Sequence, residues 1–190
     1  NAGEILHAGQ SLLAQLNDIL DFSLVESGQT EFRVETFAVA DLIDECVSQN
    51  AGVAAWKKVP LNCIGNCAQC SVSADRDKLL QVLNNLVSNA IKFNREGGRV
   101  DISCRLHDGW LRIAGSDTGA GIDPAMQGQL FEPFNRLGAE MGGIAGAGIG
   151  LALAKEQVER MGGRLGVESA PGQGSTFWVD MPSPNAADAA

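Results

Sequence analysis

Three polar side chains on one flank of an apolar stretch have the types that phosphate chemistry needs. Within LLQVLNNLVSNAIKFN (Leu79 to Asn94), Asn85, Asn89 and Lys92 stand at intervals of four and three. On a helix that spacing gathers them on one face. Mg²⁺ takes hard oxygen donors, keeps waters and shares nucleotide phosphates, so carboxamide oxygens beside an ammonium suit it. The stretch alone fits a plainer account equally well, with the asparagines on local backbone and Lys92 solvated. Further on, Asp117-Thr118-Gly119-Ala120-Gly121-Ile122 follows a strand pattern, and Gly146-Ala147-Gly148-Ile149-Gly150-Leu151 opens a helix pattern. Glycine lets backbone approach a ligand closely, and a glycine-rich turn feeding a helix offers free amides to phosphate. Either motif alone is weak, since such loops are often only turns. No βαβ unit surrounds them and no GK[ST] loop exists, which excludes a dinucleotide fingerprint and a P-loop.

The elements that must position these groups follow from periodicity. Leu79, Val82, Leu83, Leu86, Val87 and Ala90 recur at helical spacing, with Asp75 placed to cap the helix and Gly97-Gly98 to end it. Glu4 to Gly28 reads as one amphipathic helix whose stripe (Ile5, Leu12, Leu16, Ile19, Leu20) needs a partner helix or a second copy. Glu31 to Phe37 alternates like a strand, and a second amphipathic helix runs from about Val39 to Trp56. Val59 to Ile64 and Val72 are short strand candidates. Arg99 to Arg105 and Trp110 to Gly115 form a predicted hairpin about His107-Asp108-Gly109. Ile149 to Met161 is a helix, and Arg164 to Glu168 with Ser175 to Met181 is a closing hairpin. The tail after Pro182 is expected to fray.

Composition narrows the class. With 190 residues, 45% hydrophobic and 19% charged, the chain suffices for one full domain and a small appendage. A net charge of −9 argues against a nucleic-acid or anionic-membrane surface. No apolar run reaches membrane-spanning length and no signal peptide is evident, so a cytoplasmic location is expected, with the parent protein free to carry an anchor. The chain starts in mid-helix pattern, as an excised piece of a longer protein would. The five cysteines are expected to be free thiols. Cys63, Cys67 and Cys70 have the C-x3-C-x2-C spacing of a cluster-binding motif, but nothing else supports one, and a zinc site would lack an obvious fourth ligand in His7 or Cys104.

Read together, LNNLVSNAIKF, SDTGAGI, FEPFNRL, GAGIGLALAK and GQGSTFWVDMP resemble the N, G1, F and G2 boxes and closing hairpin of sensor histidine kinases, in family order. LLAQLNDILDFSLVESG likewise resembles the second helix of that family's dimerisation hairpin. Four linked motifs in order are far more specific than any one. The resemblance implies a Bergerat fold: an α/β (α+β) two-layer sandwich with a mixed, mainly antiparallel sheet packed on helices. It implies residues 1–28 as the dimerisation helix, 29–36 as linker and first strand, 37–183 as the ATP-binding catalytic domain, and 184–190 as a tail.

The resemblance further implies ATP and Mg²⁺ as cofactors. Asn89 would hold the metal, Asn85 and Lys92 would lie near the phosphates, and Phe93 would pack on adenine. Asp117 would accept from the exocyclic amine, with Gly119, Gly121 and Ile122 beside it and Thr176 supporting the same end. Phe131 and Phe134 would anchor a lid over about residues 135–147. Gly146, Gly148, Ile149, Gly150 and Leu151 would seat the triphosphate, and Arg136 would reach the γ-phosphate. Implied partners are a second copy through the dimerisation hairpin and the receiver domain of a response regulator, with neither nucleic acid nor direct membrane contact.

Two departures matter. The family's phospho-accepting histidine sits in a His-Glu/Asp-x-x-Arg-Thr/Ser-Pro-like motif that these residues lack, and neither His7 nor His107 matches it. The chain is thus expected to donate a phosphoryl group but not to autophosphorylate. Position 85 is also informative, because gyrase, MutL and Hsp90-type ATPases resemble this pattern with a water-activating glutamate there. Asn85 is no general base, which favours transfer to a protein histidine over hydrolysis. A degenerate module that only binds partners remains the alternative.

Overall fold

The structure is a computed structural model that describes residues 9, 13, 16–17, 19–65, 67, 70–135 and 147–184. His7, Arg136 and Gly146 lie outside the described residues, as does most of the expected lid.

Helix α1 is described as continuous helix over residues 19–26 and stops at Gly28, whose φ of +72° suits the left-handed turn closed by Gly28 N–H on the Val25 carbonyl. Strand β1 (Val34–Ala38) then pairs antiparallel with β3 (Ser71–Asp75) as a separate two-stranded ribbon. Between them runs α2 (Val39–Lys57), which buries Val39, Leu42, Ile43, Cys46 and Ala54 along one stripe. Asp75 ends β3 and starts α3 (Arg76–Lys92), as its sequence position predicts. One carboxylate oxygen accepts from Lys78 N–H at 3.0 Å and the other from Arg33 N–H at 2.8 Å.

The second sheet contains β2 (Leu61–Ile64), β4 (Val100–His107), β5 (Trp110–Asp117), β6 (Arg164–Ala170) and β7 (Gly174–Pro182). Its order is β2-β4-β5-β7-β6, with β2 parallel to β4 and every other pair antiparallel. The β4–β5 hairpin turns at Asp108 and Gly109, both at positive φ, as the Asp-Gly signal predicts. Among the described residues two further helices follow: α4 (Pro124–Gln127), which hydrophobic periodicity does not reveal, and α5 (Gly150–Arg160). The mixed, mainly antiparallel sheet packed on helices is the architecture expected. Its inward residues Val100, Ile102, Leu111, Ile113, Phe177, Val179 and Met181 join the inward faces of α2, α3 and α5 in one core. The opposite face carries Arg112, which pairs with the buried Asp180 through two 2.7 Å bonds and stacks 4.0 Å from the Trp178 ring centre.

The cysteines need a correction. Cys67 and Cys104 form a disulfide, not a pair of free thiols. Parallel pairing of β2 with β4 carries the loop after β2 back over the inward-facing Cys104, and the two Cα atoms come within 5.8 Å. Cys46, Cys63 and Cys70 are free, and among the described residues no cluster could hold a metal ion. Burial pushes the Cys46 thiol up to about 12, whereas Cys63 is exposed. Brief alkylation of the native chain near neutral pH is therefore expected to label Cys63 and spare Cys46. Peptide mapping that found Cys46 modified first would contradict this packing.

Candidate nucleotide site

Helix α3 carries Asn85, Asn89 and Lys92 on its polar flank. Asn89 donates its side-chain amide to the Asn85 Oδ1 at 3.2 Å, which leaves the Asn89 oxygen free of that bond. Asn85 lies hard against the start of α5: a Cβ at Gly150 would stand 2.6 Å from both the Asn85 Oδ1 and Nδ2. A side chain at position 150 would force the Asn85 carboxamide to move. The first turn of α5 has no side-chain cap, so its leading amides and the positive end of the helix dipole face the same region. At the far end of α3, the Lys92 ammonium lies 5.3 Å from the ring centre of Phe93, which is 43% exposed.

The end of β5 meets the far end of α3. Asp117 accepts from Gly119 N–H at 2.7 Å and from the Ser175 backbone N–H. Burial nevertheless pushes its carboxyl above the usual carboxylate range. A Cβ at Gly119 would stand 2.6 Å from the Phe93 carbonyl oxygen, so the turn after Asp117 is seated directly on the end of α3. Gly121, at φ +71°, backs onto the Ala170 carbonyl, where a side chain would collide. Ile122 donates its N–H to the Ser169 hydroxyl at 2.9 Å and packs against the core.

The two phenylalanines of the FEPF segment behave differently from each other. Phe131 is half-buried on the core, with the Lys155 ammonium 5.5 Å from its ring centre. Phe134 is exposed at φ +64°, and its N–H holds the Gly148 carbonyl at 3.0 Å. Gly148 itself is at φ +73°. Leu151 packs on the main core, whereas Ile149 and Leu153 join Phe22 and Val25 of α1 in a second cluster. A chain of side-chain bonds crosses the same junction, from Gln157 Nε2 to Gln81 Oε1 at 2.8 Å and from Gln81 Nε2 to Asp21 Oδ2 at 3.0 Å.

Thr176 departs from expectation. Residues along β7 alternate between faces, and Phe177 and Val179 point into the core. Thr176 therefore points the other way, where its hydroxyl meets Ser116 Oγ at 2.9 Å. Ser175, one residue earlier, is buried on the Asp117 side and bonds that carboxylate through its backbone. The period-two pattern of GSTFWVDM contains this answer, because the hydroxyl on the Phe177 side of the strand belongs to Ser175.

These features match a known family. The model for histidine kinase-, DNA gyrase B- and HSP90-like ATPases fits residues 74–185. The sensor protein GacS of Pseudomonas syringae pv. syringae is 37% identical over 97% of this chain and 21% of its own length. The virulence sensor protein BvgS of Bordetella bronchiseptica is 38% identical over 92% of this chain and 14% of its own. A crystal structure of full-length ShkA in complex with AMPPNP superposes with a TM-score of 0.83 at 29% identity, over 93% of this chain and 37% of that one. The chain belongs to the histidine kinase-, gyrase B- and HSP90-like ATPase family. Within it, the chain is an ATP-binding catalytic domain of the sensor histidine kinase kind, spanning about a fifth of the length of a relative such as GacS. No described helix is long and apolar enough to cross a membrane.

Proposed function

We propose that the domain binds ATP with Mg²⁺ in the cleft between α3, the end of β5 and the start of α5. From there it donates the γ-phosphoryl group to a histidine on a dimerisation helix outside these 190 residues, for relay to a receiver-domain aspartate. The observation that carries this reading is the run of groups along α3: Asn85 lies against the uncapped start of α5, Asn89 is bonded to Asn85, and the turn after Asp117 sits on the end of the helix, with no carboxylate at position 85. The residues fit the cofactors. Gly119 and Gly150 let the backbone after β5 and at the start of α5 lie directly against Phe93 and Asn85 of α3, and the Asn89 oxygen is a hard donor of the kind Mg²⁺ selects. Bound there, the metal would supply charge neutralisation at the phosphates.

The chain's own residues then divide the work. Asn85, Lys92, the α5 amides and the backbone of Gly146, Gly148 and Gly150 orient the triphosphate. Asp117, Ser175 and Phe93 hold the base, with Gly119, Gly121 and Ile122 shaping its seat. Phe131 and Phe134 anchor the lid from which Arg136 reaches the γ-phosphate. Catalysis is then mostly positioning, since Asn85 cannot take a proton from water. Residues 1–28 serve as the second helix of a dimerisation hairpin that pairs with a second copy, and Leu13, Leu16, Leu20 and Leu24 are exposed along it.

The test is to incubate the domain with ATP, Mg²⁺ and a separate histidine-bearing hairpin. Acid-labile phosphohistidine on the hairpin is the expected result. Nucleotide binding without transfer would support a partner-binding module instead, and steady phosphate release without an acceptor would indicate a hydrolase.

A further inference from the structure

Ser169, near the end of β6, is the hub of a small hydroxyl network behind the base end of the cleft. Its Oγ accepts from Ile122 N–H at 2.9 Å, donates to the Gly174 carbonyl at 2.8 Å, and meets Ser175 Oγ at 2.9 Å. Its carbonyl accepts from Gln127 Nε2 at 2.8 Å, so α4 holds Ser169 from the other side. The loop after Asp117 is strapped to the same hairpin through Gly172 N–H on the Ala120 carbonyl at 2.6 Å.

A serine hydroxyl has one hydrogen and two lone pairs. At Ser169 the hydrogen goes to Gly174 and one lone pair takes Ile122. The Ser175 contact therefore has one consistent direction, with Ser175 donating and Ser169 accepting. Ser175 is left with lone pairs only, beside the Asp117 carboxylate that its own N–H holds. Both groups at this end of the cleft are acceptors. Such a pair complements the two hydrogens of an exocyclic amino group and opposes an oxo oxygen in the same place.

We infer that Ser169 is a positioning residue for base selectivity: by taking the Ser175 hydrogen, it fixes that hydroxyl as an acceptor and tunes the cleft to a 6-amino purine over a 6-oxo purine. This rests on the reading that the cleft binds an adenine nucleotide. Sites that hydrogen-bond a particular group reject an analogue lacking it much more strongly than apolar pockets do. Without Ser169, the Ser175 hydroxyl is free to turn its hydrogen toward the base.

Titrating ATP and inosine 5′-triphosphate into the 190-residue chain tests this, with Mg²⁺ tripolyphosphate as the control for the phosphate end. Ser169→Ala is expected to cut the preference for ATP over inosine triphosphate about tenfold and to leave tripolyphosphate binding unchanged. Ser169→Thr, which keeps the hydroxyl, should restore the preference. In a Ser175→Ala background the Ser169→Ala step should change the preference no further. If Ser169→Ala does not fold, Ser169→Cys carries the same comparison, because a thiol is a poor stand-in for either hydrogen bond. Equal losses for both nucleotides would reduce Ser169 to a structural clamp and overturn the inference, as would an unchanged preference. Failure of the unaltered chain to bind either nucleotide would remove the adenine reading itself. Binding of both without preference would overturn only the polarity assigned to Ser175.

Discussion

Asp117→Asn is expected to abolish useful ATP affinity while leaving the fold intact. The carboxylate already accepts from Gly119 and Ser175 N–H groups, and its remaining lone pairs are those that would take the exocyclic amine. An asparagine there turns half of that acceptor into a donor facing other donors. Hydrogen bonds to charged groups are worth about 1.5–3 kcal/mol, and an unmet donor adds to the loss, so binding should weaken by about 100-fold. Stability should move the other way. Burial raises the Asp117 carboxyl above its ordinary value, so the fold disfavours the charged form, and this penalty grows as pH rises through the shifted value. The neutral side chain removes it, and the variant should melt at or above the parent at neutral pH. ATP affinity of the parent should fall on acidification, beginning above the usual carboxylate range. Calorimetric titration across pH measures both; unchanged affinity in Asp117→Asn would remove this residue from the base site.

The second large effect belongs to Asn89→Ala. Its amide nitrogen is committed to Asn85 and its oxygen is the donor assigned to the metal. Removing it should lower phosphotransfer by about 100-fold, on the scale of losing one charge-stabilising ligand at a transferring phosphoryl group. ATP binding should weaken about tenfold with Mg²⁺ and hardly at all in EDTA. An equal loss in both conditions would show that Asn89 serves only to hold Asn85.

How much of this was legible in the sequence depends on whether a signal was local. The Asp75 cap, the Asp108-Gly109 turn, the Gly28 stop and the α3 stripe are fixed by neighbours in the chain, and each lies where its residues place it. The parallel seat of β2 beside β4 is a long-range choice that periodicity does not encode, and the Cys67–Cys104 bond follows from it. Thr176 illustrates a subtler loss. Its residue type suits the base site, but strand alternation decides which face a hydroxyl occupies, and a shift of one residue reverses the answer. Ser169 carries no motif of its own. Its role depends on three backbone segments that meet only in the folded chain.

The sheet order has a consequence for biosynthesis. β7 is the last of the described strands, yet it lies between β5 and β6. Asp117 and the glycine turn after it leave the ribosome long before Ser175, the group that secures them. Until β7 inserts, β6 has no strand to pair with and β5 presents an open edge. On the proposed reading, nucleotide cannot template the early stages of folding, because the seat assigned to its base is completed only when β7 inserts. Stop codons before Gly174 should yield chains that neither bind ATP nor stay soluble, whereas a long delay between β5 and β6 would leave half a sheet for chaperones to guard.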